Sequence, residues 1–230
     1  MERLDVASLT EETLVTATSE LAARDADLAA IVGRYGPPPL WSRPPGFATL
    51  VRIMLEQQVS LASAFAAFER LRKAVDPLTP DAFLGLNDRE LFEIGFSHQK
   101  ARYVRGLARA LTTRSFDLER LSDLPDEEVH RELVALTGIG PWTASIYMME
   151  GLLRPDVWPV ADMALVTSVM QVKGLGSRPG PAEMESIGEA WRPWRSVAAR
   201  LFWHDYLGRR NRAQTAPEKP PVTRTEMAPA

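Results

Sequence analysis

The sequence predicts an all-α fold. Apolar residues recur at helical spacing: Phe47, Leu50, Val51, Met54 and Leu55 follow the pattern i, i+3, i+4, i+7, i+8. Helix start signals recur along the chain, and no stretch alternates apolar and polar residues as a half-buried strand would. These observations favour about ten short helices joined by turns that contain proline and glycine.

Three capping signals indicate where individual helices begin. Thr79 stands before a proline, a residue that suits the first helical turn because no backbone N–H is lost there. Asn87 and Glu90 have the spacing of a capping box, and Ser97 precedes the next helical segment. Two segments lack a helical pattern. Residues 36–46 form a proline-rich connector, and residues 211–230 hold almost no large apolar side chains and are expected to be a disordered tail.

The composition excludes several kinds of chemistry. The 230 residues carry a formal net charge of -3 and include no cysteine, which excludes disulfides, cysteine nucleophiles, thiolate zinc sites and cysteine-ligated iron–sulfur clusters. His98, His130 and His204 are too far apart in sequence to suggest a metal triad. No apolar stretch approaches the roughly 18 residues that span a bilayer, and the first residues are acidic where a signal peptide is apolar. We therefore expect a soluble, cytoplasmic protein.

The charge is unevenly distributed. Residues 95–114 contain no acidic residue but several basic ones, namely Lys100, Arg102, Arg105, Arg109 and Arg114. This segment is either the solvated face of a helix or a surface that contacts nucleic acid, and the sequence alone leaves both interpretations open.

The most specific motif is LTGIGPWTA at residues 136–144. Gly138 and Gly140 allow a tight turn, and Pro141 suits the first turn of a following helix, so the motif predicts a helix-hairpin-helix. The backbone N–H groups of such a turn, together with the positive end of the second helix, bind a phosphate without reading the base sequence. An ordinary corner between two helices is the alternative.

With this motif the chain resembles the helix-hairpin-helix DNA glycosylases of base excision repair, and within them the 3-methyladenine DNA glycosylase II branch. Further similar segments are LVRIMLEQQVS (50–60), GFSHQKARYVRGLA (95–108), VWPVADMAL (157–165) and WRPWRSVAARLFWHDY (191–206). The N-terminal β-rich domain of the bacterial prototype is missing, as in compact members of the family. The resemblance implies two helical lobes with an active-site cleft between them. One lobe consists of residues 1–44 plus 162–210, and the other of residues 45–161, with the hairpin at about 125–152; residues 211–230 are the tail.

The resemblance assigns the catalytic role to Asp162. Its position directly before an apolar run also predicts a helix N-cap, and the two roles are compatible. An ionised carboxylate beneath the deoxyribose stabilises the positive charge that develops when a base leaves. Trp142 stands where strand-nicking members have a lysine, so the resemblance implies an enzyme without lyase activity.

The resemblance also implies a base pocket and a DNA wedge, the residue that fills the gap left by a flipped base. Trp203 matches the aromatic side chain that stacks on the base, and Trp142 and Tyr147 could line the same pocket. Ile146 replaces a pocket tyrosine of the prototype. Gln58 aligns with the wedge, with an exposed turn residue as the alternative; Glu56 and Gln57 beside it could instead face the pocket.

The hairpin carries the implied contacts to the DNA backbone. The amides of Gly138, Gly140 and Thr143 match its phosphate contacts. The backbone carbonyls that match a monovalent cation site belong to Val134, Leu136 and Ile139.

Together these features imply a monofunctional DNA glycosylase that flips and excises alkylated bases such as 3-methyladenine and 7-methylguanine. The expected partner is damaged double-stranded DNA, and the expected state is a monomer. No cofactor is required, and the hairpin offers a possible site for a structural monovalent cation. One alternative is a glycosylase for deaminated or oxidised bases. Another is a non-catalytic helix-hairpin-helix DNA-binding protein, which would need neither Asp162 nor a pocket lined by aromatic residues.

Overall fold

The computed structural model describes residues 8–215, with side chains through residue 212. This part of the chain is helical and contains no strand, so the predicted fold class is confirmed. The α-helices are α1 (Glu11–Arg24), α2 (Ala26–Tyr35), α3 (Phe47–Glu56), α4 (Leu61–Ala74), α5 (Pro80–Leu84), α6 (Asp88–Ile94), α7 (His98–Thr112), α8 (Asp126–Val134), α9 (Pro141–Glu150), α10 (Met163–Val172), α11 (Pro181–Gly188) and α12 (Arg195–Thr215). Two short 3-10 helices span Glu119–Asp123 and Glu189–Trp191.

The predicted capping signals lie at helix starts. The Thr79 hydroxyl accepts the backbone N–H of Ala82 at the start of α5. Asn87 and Glu90 form the predicted capping box of α6, and Ser97 caps α7. Because these caps satisfy backbone N–H groups that have no partner within the helix, they fix the helix boundaries locally.

The helices pack in two groups. Helices α1, α2 and α10 each pack on the long helix α12, while α3 packs on α4, α7 and α9. Helices α5 and α6 pack on α7, and α8 packs on α9 across the hairpin. The division into lobes at residues 44 and 162 stays a prediction. Among the described residues, no helix combines the length and the apolar character needed to cross a membrane.

A buried arginine joins parts of the chain that are far apart in sequence. Arg200 in α12 is fully buried and donates hydrogen bonds to the carbonyls of Leu40 (2.8 Å), Met149 (2.7 Å) and Ser196 (3.0 Å). Burial lowers the pKa of Arg200 to about 10, so the group remains a cation at neutral pH. Arg200 thereby holds the C-terminal helix against the end of α9 and against residues 36–46.

Residues 36–46 do more than connect two helices. The backbone N–H of Arg43 donates to the Glu150 carbonyl at 2.8 Å, and the backbone N–H of Gly46 donates to the Tyr147 hydroxyl at 3.0 Å. This segment is therefore fixed along α9. The predicted tail begins too early, because α12 continues through residue 215; residues 216–230 lie outside the described part of the chain.

Candidate active site

Asp162 lies at the N-cap of α10, where its side chain is held by three N–H donors. Its Oδ1 accepts the backbone N–H of Leu165 at 2.8 Å and the indole N–H of Trp203 at 3.0 Å. Its Oδ2 accepts the indole N–H of Trp142 at 2.9 Å. An indole N–H can only donate, so both tryptophans fix the orientation of the carboxylate. Asp162 therefore caps α10 and at the same time is an anion held in a fixed orientation.

The two tryptophans reach Asp162 from different helices. Trp142 is the second residue of α9, directly after the hairpin, and Trp203 lies in the first half of α12. Both side chains are partly buried, and both line a cavity of about 350 Å³ that opens beside Asp162. We call this space the base cavity. Its other lining residues are Trp41, Ser42, Arg43, Arg52, Glu56, Leu61, Ile146, Glu150, Ala164, Tyr206 and Leu207.

The structure separates Tyr147 from this cavity. Tyr147 follows Ile146 in sequence, which turns it by about 100° around α9. Its side chain is fully buried and lines a different cavity together with Pro45 and Gly46. Burial raises the pKa of the Tyr147 hydroxyl to about 12, and this hydroxyl accepts the N–H of Gly46. The expectation that Tyr147 lines the base pocket is corrected: it fixes the residue 36–46 segment instead.

One end of the base cavity is charged. Arg43 donates from both terminal nitrogens to Glu56, at 3.0 and 3.2 Å, and its Nε lies 2.7 Å from Oε2 of Glu150. Arg52 adds a longer contact to Glu56, at 3.5 Å. Burial raises the pKa of Glu150 to about 7, although the cations around it oppose the shift. The cavity therefore has an aromatic end at Asp162 and an ionic end at Glu150.

The hairpin has the predicted geometry. Gly138 has φ = 93°, and a Cβ atom there would lie 2.4 Å from the Tyr103 ring, so glycine is required on both counts. A Cβ atom at Gly140, by contrast, would meet nothing within 4 Å. Helix α9 starts at Pro141, and no side chain caps it. The backbone N–H groups of its first turn, including that of Thr143, therefore have no partner within the helix and lie next to the hairpin.

Gln57 joins this hairpin to the turn after α3. Its side-chain amide donates to the Gly138 carbonyl at 3.0 Å and to the Thr143 hydroxyl at 2.8 Å. Of the two neighbours of Gln58 considered for the pocket, Glu56 lines the base cavity and Gln57 binds the hairpin. The amides of Gly138, Gly140 and Thr143 are thus on a hairpin that is braced from α3.

A wide groove of about 1080 Å³ leads from the hairpin to Asp162. Residues 134–143 form one side, residues 56–60 form another, and residues 161–164 close the end at the carboxylate. We call this space the hairpin groove. Because it connects the phosphate-binding candidate with the base cavity, one nucleotide strand could contact both.

Gln58 lies in the turn between α3 and α4 and borders the hairpin groove. It is exposed, and its φ of 57° places the backbone in the left-handed region. Lys100 supports this turn, because its ammonium group donates to the carbonyls of Leu55 (2.7 Å) and Gln57 (2.8 Å). Burial lowers the pKa of Lys100. The basic segment is therefore partly structural, and Lys100 acts on the turn that carries Gln58.

The hairpin carbonyls predicted to bind a cation differ in their present partners. The Leu136 carbonyl accepts the N–H of Ile139 at 3.0 Å, which leaves one of its two lone pairs. Val134 is the last residue of α8, where helix carbonyls lack helical partners. Within residues 8–212, no cluster of three or more histidine, aspartate or glutamate side chains could hold a metal ion.

The sequence model of one family, the HhH-GPD superfamily base excision DNA repair proteins, matches residues 51–193. The chain belongs to this family. The matched HhH-GPD region includes the hairpin, Asp162 and the charged residues Arg52, Glu56 and Glu150, whereas Trp41, Arg43 and Trp203 lie outside it.

Individual HhH-GPD relatives support the same grouping. A DNA-3-methyladenine glycosylase of Bacillus subtilis is 28% identical over 118 residues, which are 51% of this chain and 39% of that protein. The crystal structure of a DNA-3-methyladenine glycosidase from Bacillus halodurans matches with a TM-score of 0.71 at 28% identity, covering 83% of this chain and 88% of that one. Schizosaccharomyces pombe Mag1, a 3-methyladenine DNA glycosylase solved with abasic DNA, shares the fold, with a TM-score of 0.76 at 24% identity over 82% of this chain and 95% of that one. This chain spans between 38% and 64% of the length of three bacterial relatives.

Several cavity residues of this HhH-GPD protein were not predicted from the sequence. Trp41 lies in the proline-rich segment and contacts the edge of the Trp203 ring, with centroids 6.3 Å apart. Arg43 comes from the same segment and binds the two buried glutamates. The sequence did offer a signal for them, because Trp41 and Arg43 lie between prolines. A stiff segment of this kind loses little conformational entropy when its side chains line a site.

Proposed function

We propose that this HhH-GPD protein is a monofunctional DNA glycosylase that excises alkylated bases, of the 3-methyladenine and 7-methylguanine type, from double-stranded DNA. The observation that carries the proposal is the position of Asp162. Its carboxylate is fixed by two indoles at the point where the hairpin groove meets the base cavity. A non-catalytic DNA-binding hairpin would need neither the fixed anion nor the cavity.

The chemistry follows from this arrangement. When the bond between C1′ and the base nitrogen breaks, its electron pair leaves with the base and positive charge develops on the sugar. The Asp162 carboxylate stabilises that charge and orients the attacking water. Water then forms the new C1′–O bond and releases a proton, which leaves an abasic site and a free base. For a cationic base the departing nitrogen needs no proton, so no general acid is required at this step.

The cavity suits an alkylated purine. Trp142, Trp203 and Trp41 supply aromatic surfaces, and Ile146 supplies an apolar one. Electron-rich rings attract a cationic base, which 3-methyladenine and 7-methylguanine are while attached to the sugar. Tyr147 plays no part in this recognition.

The hairpin groove is proposed to hold the strand. The amides of Gly138, Gly140 and Thr143 would bind a phosphate, and Gln58 would fill the gap left by the flipped base. The carbonyls of Val134, Leu136 and Ile139 would hold a monovalent cation, which when bound would add positive potential toward that phosphate. A monomer is sufficient for all these contacts. The protein is proposed to act in the cell compartment that contains the DNA.

Lyase activity is not expected. A Schiff base needs an amine near C1′, but Trp142 occupies the position of the lysine in strand-nicking relatives. Among the described residues, no lysine lines the base cavity or the hairpin groove.

The test is base release from duplexes that each contain one lesion, with Asp162→Asn as the matched variant. The wild-type protein should release 3-methyladenine and 7-methylguanine, and faster than 8-oxoguanine or hypoxanthine. Asp162→Asn should bind the same duplexes but release almost no base, because the amide keeps the shape and loses the charge. Faster release of 8-oxoguanine than of 7-methylguanine would favour the alternative substrate class. Release by Asp162→Asn at the wild-type rate would refute the catalytic assignment.

A further inference from the structure

The base cavity is organised along one face of α9. Trp142, Ile146 and Glu150 all line it, and they are spaced four residues apart. Residues at this spacing share a helix face, and eight residues advance the helix by about 12 Å. Helical side chains lean toward the N-terminus, which favours a Glu150 carboxyl group near the Ile146 turn, and both residues line the base cavity. A flat ring anchored at Asp162 would therefore point its far edge toward Glu150.

The contacts of the two buried glutamates differ. Glu56 receives two hydrogen bonds from Arg43. Oε2 of Glu150 lies 2.7 Å from Nε of the same arginine, an ion pair in which Oε2 receives no hydrogen bond. No other hydrogen bond among residues 8–212 ends on the Glu150 carboxyl group, and its side chain keeps 12% of its surface exposed.

An ion pair alone does not account for Glu150. Buried carboxyl groups are normally hydrogen-bonded, and an acceptor without a donor is costly to keep. The backbone around Glu150 is already fixed by its carbonyl, which binds Arg43, and by the neighbouring Met149 carbonyl, which binds Arg200. Oε2 is enclosed and paired with Arg43, so the acceptor open to a ligand with N–H donors is Oε1, which is neither enclosed nor hydrogen-bonded among the described residues.

We propose that Glu150 is a specificity residue that accepts hydrogen bonds from N–H groups on the Watson–Crick edge of the flipped purine. This inference rests on the proposed function and names the groups read by the same cavity. The exocyclic amine of 3-methyladenine, and N1–H and the amine of 7-methylguanine, are such donors. Arg43 is the positioning residue, because it holds Glu150 and Glu56 side by side. A purine whose edge carries no N–H, such as 1,N6-ethenoadenine, gains nothing from Glu150.

Binding of free bases tests the inference without catalysis. The probes are 3-methyladenine and 3-methylpurine, which lacks the exocyclic amine, and the readout is quenching of tryptophan fluorescence. The wild-type protein should bind 3-methyladenine on the order of tenfold more tightly, and Glu150→Met should remove this preference. Glu150→Gln retains an acceptor oxygen and should keep part of it. Glu93→Gln, at an exposed ion pair on α6, is the matched control and should behave as wild type.

Excision rates separate this inference from the proposed function. In single-turnover reactions, Glu150→Met should slow the release of 7-methylguanine about tenfold while 1,N6-ethenoadenine changes less than about twofold. If the wild-type protein releases both bases and the variant changes both equally, the inference is overturned and the proposed function stands. If the wild-type protein releases no base but its preference for 3-methyladenine depends on Glu150, the proposed function fails instead. Should Glu150→Met not fold, Glu150→Ala takes its place because it also removes the acceptor, and an unchanged preference in that variant overturns the inference.

Discussion

Trp142 and Trp203 donate their indole N–H groups to opposite oxygens of one carboxylate, at 2.9 and 3.0 Å. Two residues 61 positions apart on different helices thus fix Asp162 from both sides. Each tryptophan therefore has two possible contributions to the proposed reaction: its ring faces the base cavity, and its N–H orients the anion.

The two contributions of Trp203 can be separated by substitution. Trp203→Phe keeps an aromatic ring but removes the N–H, so we expect slower base release with nearly unchanged affinity for free 3-methyladenine. Trp203→Ala removes both and should cost about ten- to hundredfold in single-turnover rate on alkylated purines, since stacking is worth roughly 1–3 kcal/mol per base. Equal rates for Trp203→Phe and the wild-type protein would show that orientation by this indole is dispensable.

The two hairpin glycines should respond differently to alanine. Gly138→Ala introduces a Cβ atom at positive φ and against Tyr103, so we expect a loss of about 1–3 kcal/mol in the free energy of unfolding. Gly140→Ala has room and an ordinary φ, and should change stability by less than about 0.5 kcal/mol. Urea denaturation measures both.

Gly140→Ala should still weaken DNA binding, because its Cβ atom would point into the space where a phosphate would approach the amides. The loss should be the same for damaged and undamaged duplexes in fluorescence anisotropy, since a phosphate contact carries no sequence information. A loss confined to one lesion would contradict the phosphate assignment.

Glu150 should make stability depend on pH. Its pKa rises from an ordinary value of 4.5 to about 7 on folding, so the folded state holds a proton that the unfolded chain has released. The stability that this proton provides is complete below about pH 4.5 and is lost as the pH rises through about 7. Arg43, Arg52 and Arg200 favour the charged form, whereas Glu56 opposes it.

The difference in melting temperature, Glu150→Gln minus wild type, should therefore increase from pH 5 to pH 8, because glutamine cannot ionise. Thermal denaturation at both values measures the difference, with Glu93→Gln as the surface control. A difference that shrinks toward pH 8 would mean that the ion pair with Arg43 outweighs the cost of burial.

Strand cleavage should not accompany base release. With borohydride present, no covalent adduct between the protein and DNA should form, and the product strand should break only after alkali treatment. Denaturing gels resolve both outcomes. A trapped adduct would identify an amine that reaches C1′ and would refute the monofunctional proposal.

The sequence predicted the local features of this site well. The hairpin follows from Gly138 and Pro141, whose backbone preferences act within a few residues, and the capping aspartate precedes its own helix. Tyr147 was placed in the pocket from its motif, but helical periodicity predicts otherwise. Trp142, Ile146 and Glu150 share one face of α9, and Tyr147 lies on another. Trp41 and Arg43 reach the cavity through contacts with α9 and α12 that no local pattern encodes.

Arg200 has a consequence for the order in which this protein becomes functional during synthesis. Its three carbonyl partners come from residues 40, 149 and 196, and the second indole on Asp162 comes from residue 203. A nascent chain that has emerged only as far as α10 contains the hairpin and Asp162. It still lacks Arg200, which holds α12 against Leu40 and Met149, and Trp203, which binds Asp162. Under the proposed function, the hairpin that would hold a DNA backbone is therefore synthesised before the helix that completes the orientation of Asp162, because Trp203 belongs to α12.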